Sequence, residues 1–312
     1  MTTPARKPRA VVFAYHGFGR AGLASLLRQG WDVTLVLSHA DNPHETCWWP
    51  SVAGFCQEHG IPCVLDGDLK DAALLARLQA LAPDAIFSFY FRSMIPQAIL
   101  DLCPDRAFNL HGSLLPAFRG RSPINWQLVH GATQSGLTLH RMVRKADAGD
   151  LIDQVAVAVH PDQDAYGLTR QLLALAPPFF DRVLGTIRDN TFTATPQNHA
   201  RASYFGGRKP ADGAIDPAWP ARRIHNLVRA VAPPWPGAFV QVGGRRLMVW
   251  RTTVLVDDGH HGEPGTVLPD GSLACGSGRL GILAAGWAPD DAPALLPPGS
   301  RLVFPASLES TP

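Results

Sequence analysis

Short apolar runs alternating with amphipathic helical stretches through the first half of the chain predict an α/β fold, a doubly wound and mostly parallel sheet. A later series of short strands, cut by Gly, Pro and Asp, predicts a second and smaller barrel-like β domain. With 312 residues, 46% hydrophobic and 17% charged, the chain is long enough to bury two cores.

The elements follow in order. Val11 to Tyr15 reads as a buried strand, Ala21 to Gln29 as a helix and Trp31 to Ser38 as the second strand. Pro50 to His59 reads as helix, Pro62 to Leu65 as strand, Asp71 to Leu81 as helix, Asp84 to Tyr90 as strand and Pro96 to Leu102 as a short helix. Arg106 to His111 reads as a further strand, ended by Gly112. Ile124 to His130 is predicted helical, with Ser122 and Pro123 suited to its start. Two apolar runs, Leu137 to Val143 and Ile152 to Val159, precede a long helical stretch from Tyr166 to Arg188. Composition then shifts to Pro, Gly, Asn, Arg and Lys over Thr193 to Gly213, which marks a linker. Beyond it Ala221 to Ala230 reads as helix. Short strands are expected at Ala238 to Val242, Arg246 to Leu255, Gly265 to Leu268, Ser272 to Ala274 and Leu280 to Ala284. Asp290 to Pro298 is expected as loop and the residues from Pro305 as a frayed end.

Charge and cysteine content exclude several classes. A formal net charge of +2 argues against a nucleic-acid binder that relies on a broad basic field. Cys47, Cys56, Cys63, Cys103 and Cys275 form no Cys-x-x-Cys pair, so neither a zinc site nor a disulfide framework is expected. Reduced thiols in a cytoplasmic protein are the simplest reading. Met1 to Ala10 carries Arg6, Lys7 and Arg9 but no long apolar run follows, so no signal peptide and no membrane insertion are expected.

The chemistry is concentrated in one stretch. Asn109 and His111 stand two apart on a predicted strand, so both side chains leave the same face, at the end where open parallel sheets bind ligands. Asp147 follows 36 residues after His111. An amine attacking a formyl carbon creates a negative oxygen and a positive nitrogen. The Asn109 amide can donate to that oxygen, and the His111 imidazole can take the amine's proton and pass it to the leaving nitrogen. Asp147 within reach would orient His111 and favour its protonated form. Taken alone, the pair also fits a strand-ending asparagine and a satisfied core histidine.

The surrounding residues decide between these. Asn109, His111, Ser113-Leu114-Leu115-Pro116, Arg119-Gly120, Pro123, Asp147 and Gly149-Asp150 stand in matched order. The stretch resembles the formyltransferases that use 10-formyltetrahydrofolate as formyl donor. That resemblance implies a Rossmann-like catalytic domain over 1–199, a linker over 200–215 and an OB-like open β-barrel domain over 216–305. It implies catalytic roles for Asn109, His111 and Asp147, and contacts to the folate from Ser93, Met94, Ile95, Arg121, Val143, Arg144, Lys145, Ala146 and Asp147. A pterin wants an apolar slot with a few backbone hydrogen bonds. Arg119 and Arg121 could hold a carboxylate or pyrophosphate, or be a solvated pair.

Within that family, Val11 to His16, Asp41-Asn42-Pro43, Ile86 to Tyr90, Thr138 to Val143 and Val228 to Ala232 are similar to the members that formylate UDP-4-amino-4-deoxy-L-arabinose, over about Arg9 to Leu302. A UDP-amino sugar is therefore the expected acceptor, and a free-standing formyltransferase the expected form. The members that formylate methionyl-tRNA carry a basic loop after the second strand, as gripping a polyanion demands. Here Ser38 to Pro50 has no Lys or Arg.

One motif points elsewhere. Gly17 to Gly22 spells G-x-G-x-x-G between a strand and a helix, with Asp41 roughly 20 residues on, which is the dinucleotide signature of an NAD-dependent dehydrogenase. Asp41, however, overshoots the end of the second strand, and His16 fills a position usually small or apolar. Close approach of the turn to some other ligand is the alternative. Phe87, Phe89 and Phe91 read as one face of a core strand, and Asp257 to Glu263 as a turn rather than a metal site. Trp48 and Trp49 could stack on uracil or anchor their loop.

Overall fold

The computed structural model describes residues 6–43 and 45–303, so the expected frayed end from Pro305, and His44 within the Ser38 to Pro50 loop, lie outside the described residues. Two compact units are present. One takes the described residues of Met1–Pro123 with Ser135–Val157 and Arg170–Phe205; the other takes Ile124–Gln134, Ala158–Thr169 and the described residues of Gly206–Pro312.

In chain order the first elements are β1 (Arg9–Ala14), α1 (His16–Arg28), β2 (Asp32–Ser38), α2 (Val52–Glu58), β3 (Cys63–Leu65), α3 (Ala72–Leu81), β4 (Ala85–Phe89), α4 (Gln97–Leu100) and β5 (Ala107–His111). There follow β6 (Arg119–Gly120), α5 (Pro123–Val129), β7 (Gln134–Arg141), β8 (Leu151–Ala158), α6 (Ala165–Arg188) and β9 (Tyr204–Phe205). The main sheet runs β3-β2-β1-β4-β5-β7-β8. Pairs from β3 through β5 are parallel, and β7 is antiparallel to β5. The expected doubly wound, mostly parallel sheet is therefore the observed one. Strands covered on both faces must be apolar throughout, and β4 is buried at every position. One face of the sheet gathers Val11, Phe13, Leu35, Leu37 and Ile86 against Leu78 of α3. Local sequence sets the helix starts: Ser51 accepts from the Gly54 amide before α2, and Asp71 from the Ala73 amide before α3.

Several elements depart from expectation. α1 begins at His16 and not at Ala21, so the whole Gly17 to Gly22 signature lies inside a helix. Three glycines lower helix propensity by about 1 kcal/mol each, which hides the start. What keeps the helix there is packing, since a Cβ at Gly22 would overlap the Phe89 ring of β4. The Pro- and Gly-rich stretch read as a linker contains β9, which pairs in parallel with β6, Tyr204 opposite Arg119 and Phe205 opposite Gly120. Gly265 to Leu268 is not a strand: it makes only isolated bridges, Thr266 with Arg301 and Val267 with Leu273.

The second unit contains α7 (Ala221–Val231), β10 (Ala238–Val242), β11 (Arg245–Val256), β12 (Leu273–Ala274), β13 (Arg279–Trp287) and β14 (Ala292–Pro293). These strands form an antiparallel sheet in the order β10-β11-β13-β12, with β14, inside the segment expected as loop, on β13. The turn residues Asp257 and Glu263 are taken by Arg222 and Arg301, and His261 Nε2 by the Asp258 carbonyl, so they do not converge on one point. Among the described residues no helix is long and apolar enough to cross a membrane.

Candidate active site

β5 carries Asn109 and His111 to the carboxyl end of the sheet, where they stand directly opposite His140 and Thr138, respectively, of antiparallel β7. Because β7 runs the other way, the chain after it has to fold back before Asp147 can meet them. It does so with Asp147 in the left-handed region, φ 53°. One carboxylate oxygen, Oδ2, accepts from the Gly120 amide at 2.8 Å. Gly120 has φ 99°, and a Cβ there would overlap the Phe205 carbonyl of β9, so glycine alone brings that amide to the site.

The other oxygen, Oδ1, is the hub. Asn109 Nδ2 lies 3.4 Å from it, His111 Nδ1 3.6 Å and His140 Nε2 3.4 Å. Hydrogen-bond logic fixes the tautomers. His111 Nε2 sits 2.7 Å from the Phe118 carbonyl, which can only accept, so Nε2 carries a proton and the neutral ring turns the Nδ1 lone pair toward Asp147. His140 Nδ1 faces the Arg141 carbonyl at 2.7 Å in the same way, leaving Nε2 to accept from the Asn109 amide at 3.0 Å. Asn109 thus bridges an imidazole and a carboxylate.

Burial and charge compete at His111. Burial depresses its proton affinity, and the Asp147 carboxylate and Phe118 carbonyl pull it back without restoring it; His140 and Arg119 add to the depression. Asp147 thus favours the protonated form, as expected, but burial leaves the proton affinity of the ring below imidazole's ordinary value. Burial likewise pushes the Asp147 carboxyl up, but His111, His140 and the Gly120 amide outweigh it and hold the group well below the usual carboxylate range. A base beside a permanent carboxylate, with an amide donor adjacent, can accept a proton and stabilise the cation that results.

A formyl transferase model matches residues 29–184, and the model of the formyl transferase C-terminal domain matches residues 208–288. The chain belongs to the formyl transferase family. Three solved structures place this formyl transferase among similar folds. WlaRD, a sugar 3N-formyl transferase solved with dTDP and 5-N-formyl-THF, has a TM-score of 0.70 at 18% identity, over 91% of this chain and 99% of that one. An N-formyltransferase from Helicobacter canadensis, in complex with folinic acid and dTDP-3-aminofucose, has a TM-score of 0.69 at 17% identity, over 89% and 99%. Glycinamide ribonucleotide transformylase 1 from Symbiobacterium toebii has a TM-score of 0.53 at 21% identity, over 64% and 98%.

The structure of this formyl transferase brings Asn109, His111 and Asp147 together but spreads the other expected site residues. Ser93, Met94, Arg121, Val143, Arg144 and Lys145 are exposed and Ala146 is half-buried, whereas the Ile95 side chain is committed to the core. Ile95 and Met142 pack into the same core cluster, each next in sequence to an exposed apolar residue, Met94 at 64% and Val143 at 44% exposure. Arg121 donates to the Arg92 carbonyl at 2.8 Å. Arg119 is neither a ligand arm nor a solvated residue: at 1% exposure it is buried against Gln197, His199 and Tyr204. Trp49 packs on His16, ring centres 4.1 Å apart, and Trp48 on the same ring at 5.2 Å, so both anchor their loop. Asp41 accepts from Tyr15 at 3.2 Å. Phe87 and Phe89 are core residues of β4, and Phe91 beyond the strand packs edge-on against Phe13.

His140 and Gln197 were not singled out by sequence. His140 earns its place through antiparallel register, which a parallel α/β pattern conceals. Gln197 lies in the stretch whose composition reads as linker.

Proposed function

We propose that this formyl transferase moves a formyl group from 10-formyltetrahydrofolate to the 4-amino group of UDP-4-amino-4-deoxy-L-arabinose, giving the 4-formamido sugar nucleotide used in lipid A modification. The observation that carries the reaction is the convergence of Asn109, His111 and His140 on one oxygen of Asp147. 10-Formyltetrahydrofolate supplies a formyl group already activated for attack. Asn109 gives up its long contact to Asp147 and turns one N–H to the developing oxyanion. His111 takes the amine's proton at Nδ1, where Asp147 stabilises the cation, and then returns it to the departing nitrogen. A folate fits the residues present: Met94 and Val143 offer exposed apolar surface, with Arg121 and Lys145 as cations for its carboxylates.

Support for the acceptor comes from the phrase-by-phrase likeness to the transformylase portion of the bifunctional polymyxin-resistance protein. Two structural neighbours were solved with dTDP or a dTDP-sugar, which favours a nucleotide-linked amino sugar as the class. The loop after β2 adds a physical reason. It has no basic residue, and its Glu45 is paired with Arg92 at 2.7 Å, a poor surface for tRNA phosphates. We place the chain in the cytoplasm, with residues 1–199 as catalytic domain, 200–215 as connection and 216–305 as OB-like domain.

The test is turnover of UDP-4-amino-4-deoxy-L-arabinose and methionyl-tRNA side by side, with 10-formyltetrahydrofolate as donor. The amino sugar should turn over with UDP as competitive inhibitor, and the tRNA negligibly. Efficient formylation of the tRNA without inhibition by UDP would reject the acceptor and leave the Asn109, His111 and Asp147 chemistry standing.

A further inference from the structure

We propose that Gln197, held by buried Arg119, is a positioning residue that sets the Asp147 carboxylate against His111; the proposal rests on the catalytic reading of that trio. Asp147 has a backbone conformation that a non-glycine residue keeps only where its surroundings impose it. Gln197 imposes it. Its Nε2 donates to the main-chain carbonyls of Asp147, at 2.9 Å, and of Gly149, at 2.6 Å, and so clamps both ends of the turn.

The amide itself is fixed from behind. Gln197 Oε1 accepts from Arg119 Nε at 3.2 Å and from Nη2, while Nη1 donates to the Tyr204 hydroxyl and Nη2 also to His199 Nδ1 at 3.1 Å. These partners are an amide, a phenol and an imidazole, none an acid, so Arg119 is placed by geometry and not by ion pairing. Gln197 and Arg119 are 5% and 1% exposed, respectively. The sequence pair Arg119-Gly120 therefore holds Asp147 twice: Gly120 directly through its N–H on Oδ2, and Arg119 through Gln197 on the backbone. Only a side-chain amide can accept from a guanidinium and donate to carbonyls at once.

The charged and titratable groups facing His111 are Asp147 from the turn after β7, His140 from β7 and Arg119 from β6. Of these Asp147 raises the proton affinity of the ring, and the other two lower it. Loosening Asp147 while leaving Arg119 and His140 in place should therefore lower the pH at which His111 titrates.

The test follows the histidine NMR signals of the ligand-free chain through a pH titration in wild type, Q197M, D147N and the double variant, with melting temperatures alongside. Q197M should move the His111 titration to lower pH, D147N should move it further in the same direction, and Q197M should add nothing in the D147N background. With substrates, Q197M should lower kcat about tenfold or more with KM within about twofold. If Q197M does not fold, Q197E carries the turnover test: it keeps an acceptor for Arg119, cannot donate to the two carbonyls, and should show the same split between kcat and KM. A His111 titration and kcat equal to wild type in folded Q197M, or a change in melting temperature alone, overturns the proposal. Near wild-type turnover in D147N would instead refute the catalytic reading on which it stands, whatever Gln197 does.

Discussion

Two of the histidines that the first unit buries, His111 and His16, are treated in opposite ways. His111, at the end of β5, has both ring nitrogens facing acceptors, the Phe118 carbonyl and Asp147. His16, just past β1, lies among rings: Phe18 stacked at 5.6 Å, Tyr90 at 5.6 Å, and Trp48 and Trp49 beyond. Its Nδ1 is buried without a hydrogen-bond partner, as is the Tyr90 hydroxyl. Burial, with Arg92 behind it, pushes the His16 imidazole down to about 3, so it does not gain a proton at any working pH. Both rings pay for desolvation, and the difference is the carboxylate. Beside Asp147 a buried imidazole stays able to cycle a proton; among aromatics it becomes a packing piece.

That contrast breaks first at His111. His111→Ala should lower kcat by about 10² to 10⁴ while the folded chain still binds 10-formyltetrahydrofolate. In the proposed mechanism the acting form is the free base, and the folded value is depressed, so wild-type activity should be retained near neutral pH and lost as pH falls through a value below imidazole's ordinary one of about 6.5. A pH–rate profile of kcat measures this. An acid limb above that ordinary value, or turnover unchanged in the alanine variant, would remove the proton-transfer role.

How far each region could be read from sequence follows from the same physics. The hub was legible because its chemistry needs particular residue types in order, and because Asn109 and His111 share a strand face through a period of two. Asp147 does raise the proton affinity of His111, as expected, but sequence shows that partner and not the depth of burial that opposes it. His140 and Gln197 reach the site through antiparallel pairing and a backbone clamp across about 50 residues, neither of which leaves a local pattern. The start of α1 was misplaced because its glycines signal a turn by propensity, whereas tertiary packing decides their use.

Those glycines give the next test, on the aromatic side of the comparison. Gly22 lets α1 lie against Phe89, a side chain with no exposure. Gly22→Ala should destabilise the unit by about 1–3 kcal/mol through overpacking, despite alanine's better helix propensity. Chemical denaturation reads it. If the glycines were instead a dinucleotide cradle, the wild-type chain should bind NAD or NADP at micromolar concentration by calorimetry, and Gly19→Val should abolish that binding. We expect no such binding, because Asp41 is engaged by Tyr15 and lies beyond the end of β2.

The smallest expected effect sharpens the contrast most. The Tyr90 hydroxyl is buried, makes no hydrogen bond, and reaches the space that a side chain at position 112 would need, directly beside His111. A polar group removed from water without a partner costs stability, and deleting it without changing the ring's shape recovers part of that cost. Tyr90→Phe should therefore leave stability unchanged or raise it by about 1 kcal/mol, with kcat and KM as in wild type. A thermal melt and a steady-state assay are enough to check it. Should Tyr90→Phe instead lower kcat tenfold or more, the hydroxyl would be a donor held in reserve for the reacting group. The aromatic cluster would then belong to the active site, and the division drawn between the two buried histidines would have to be moved to His16 alone.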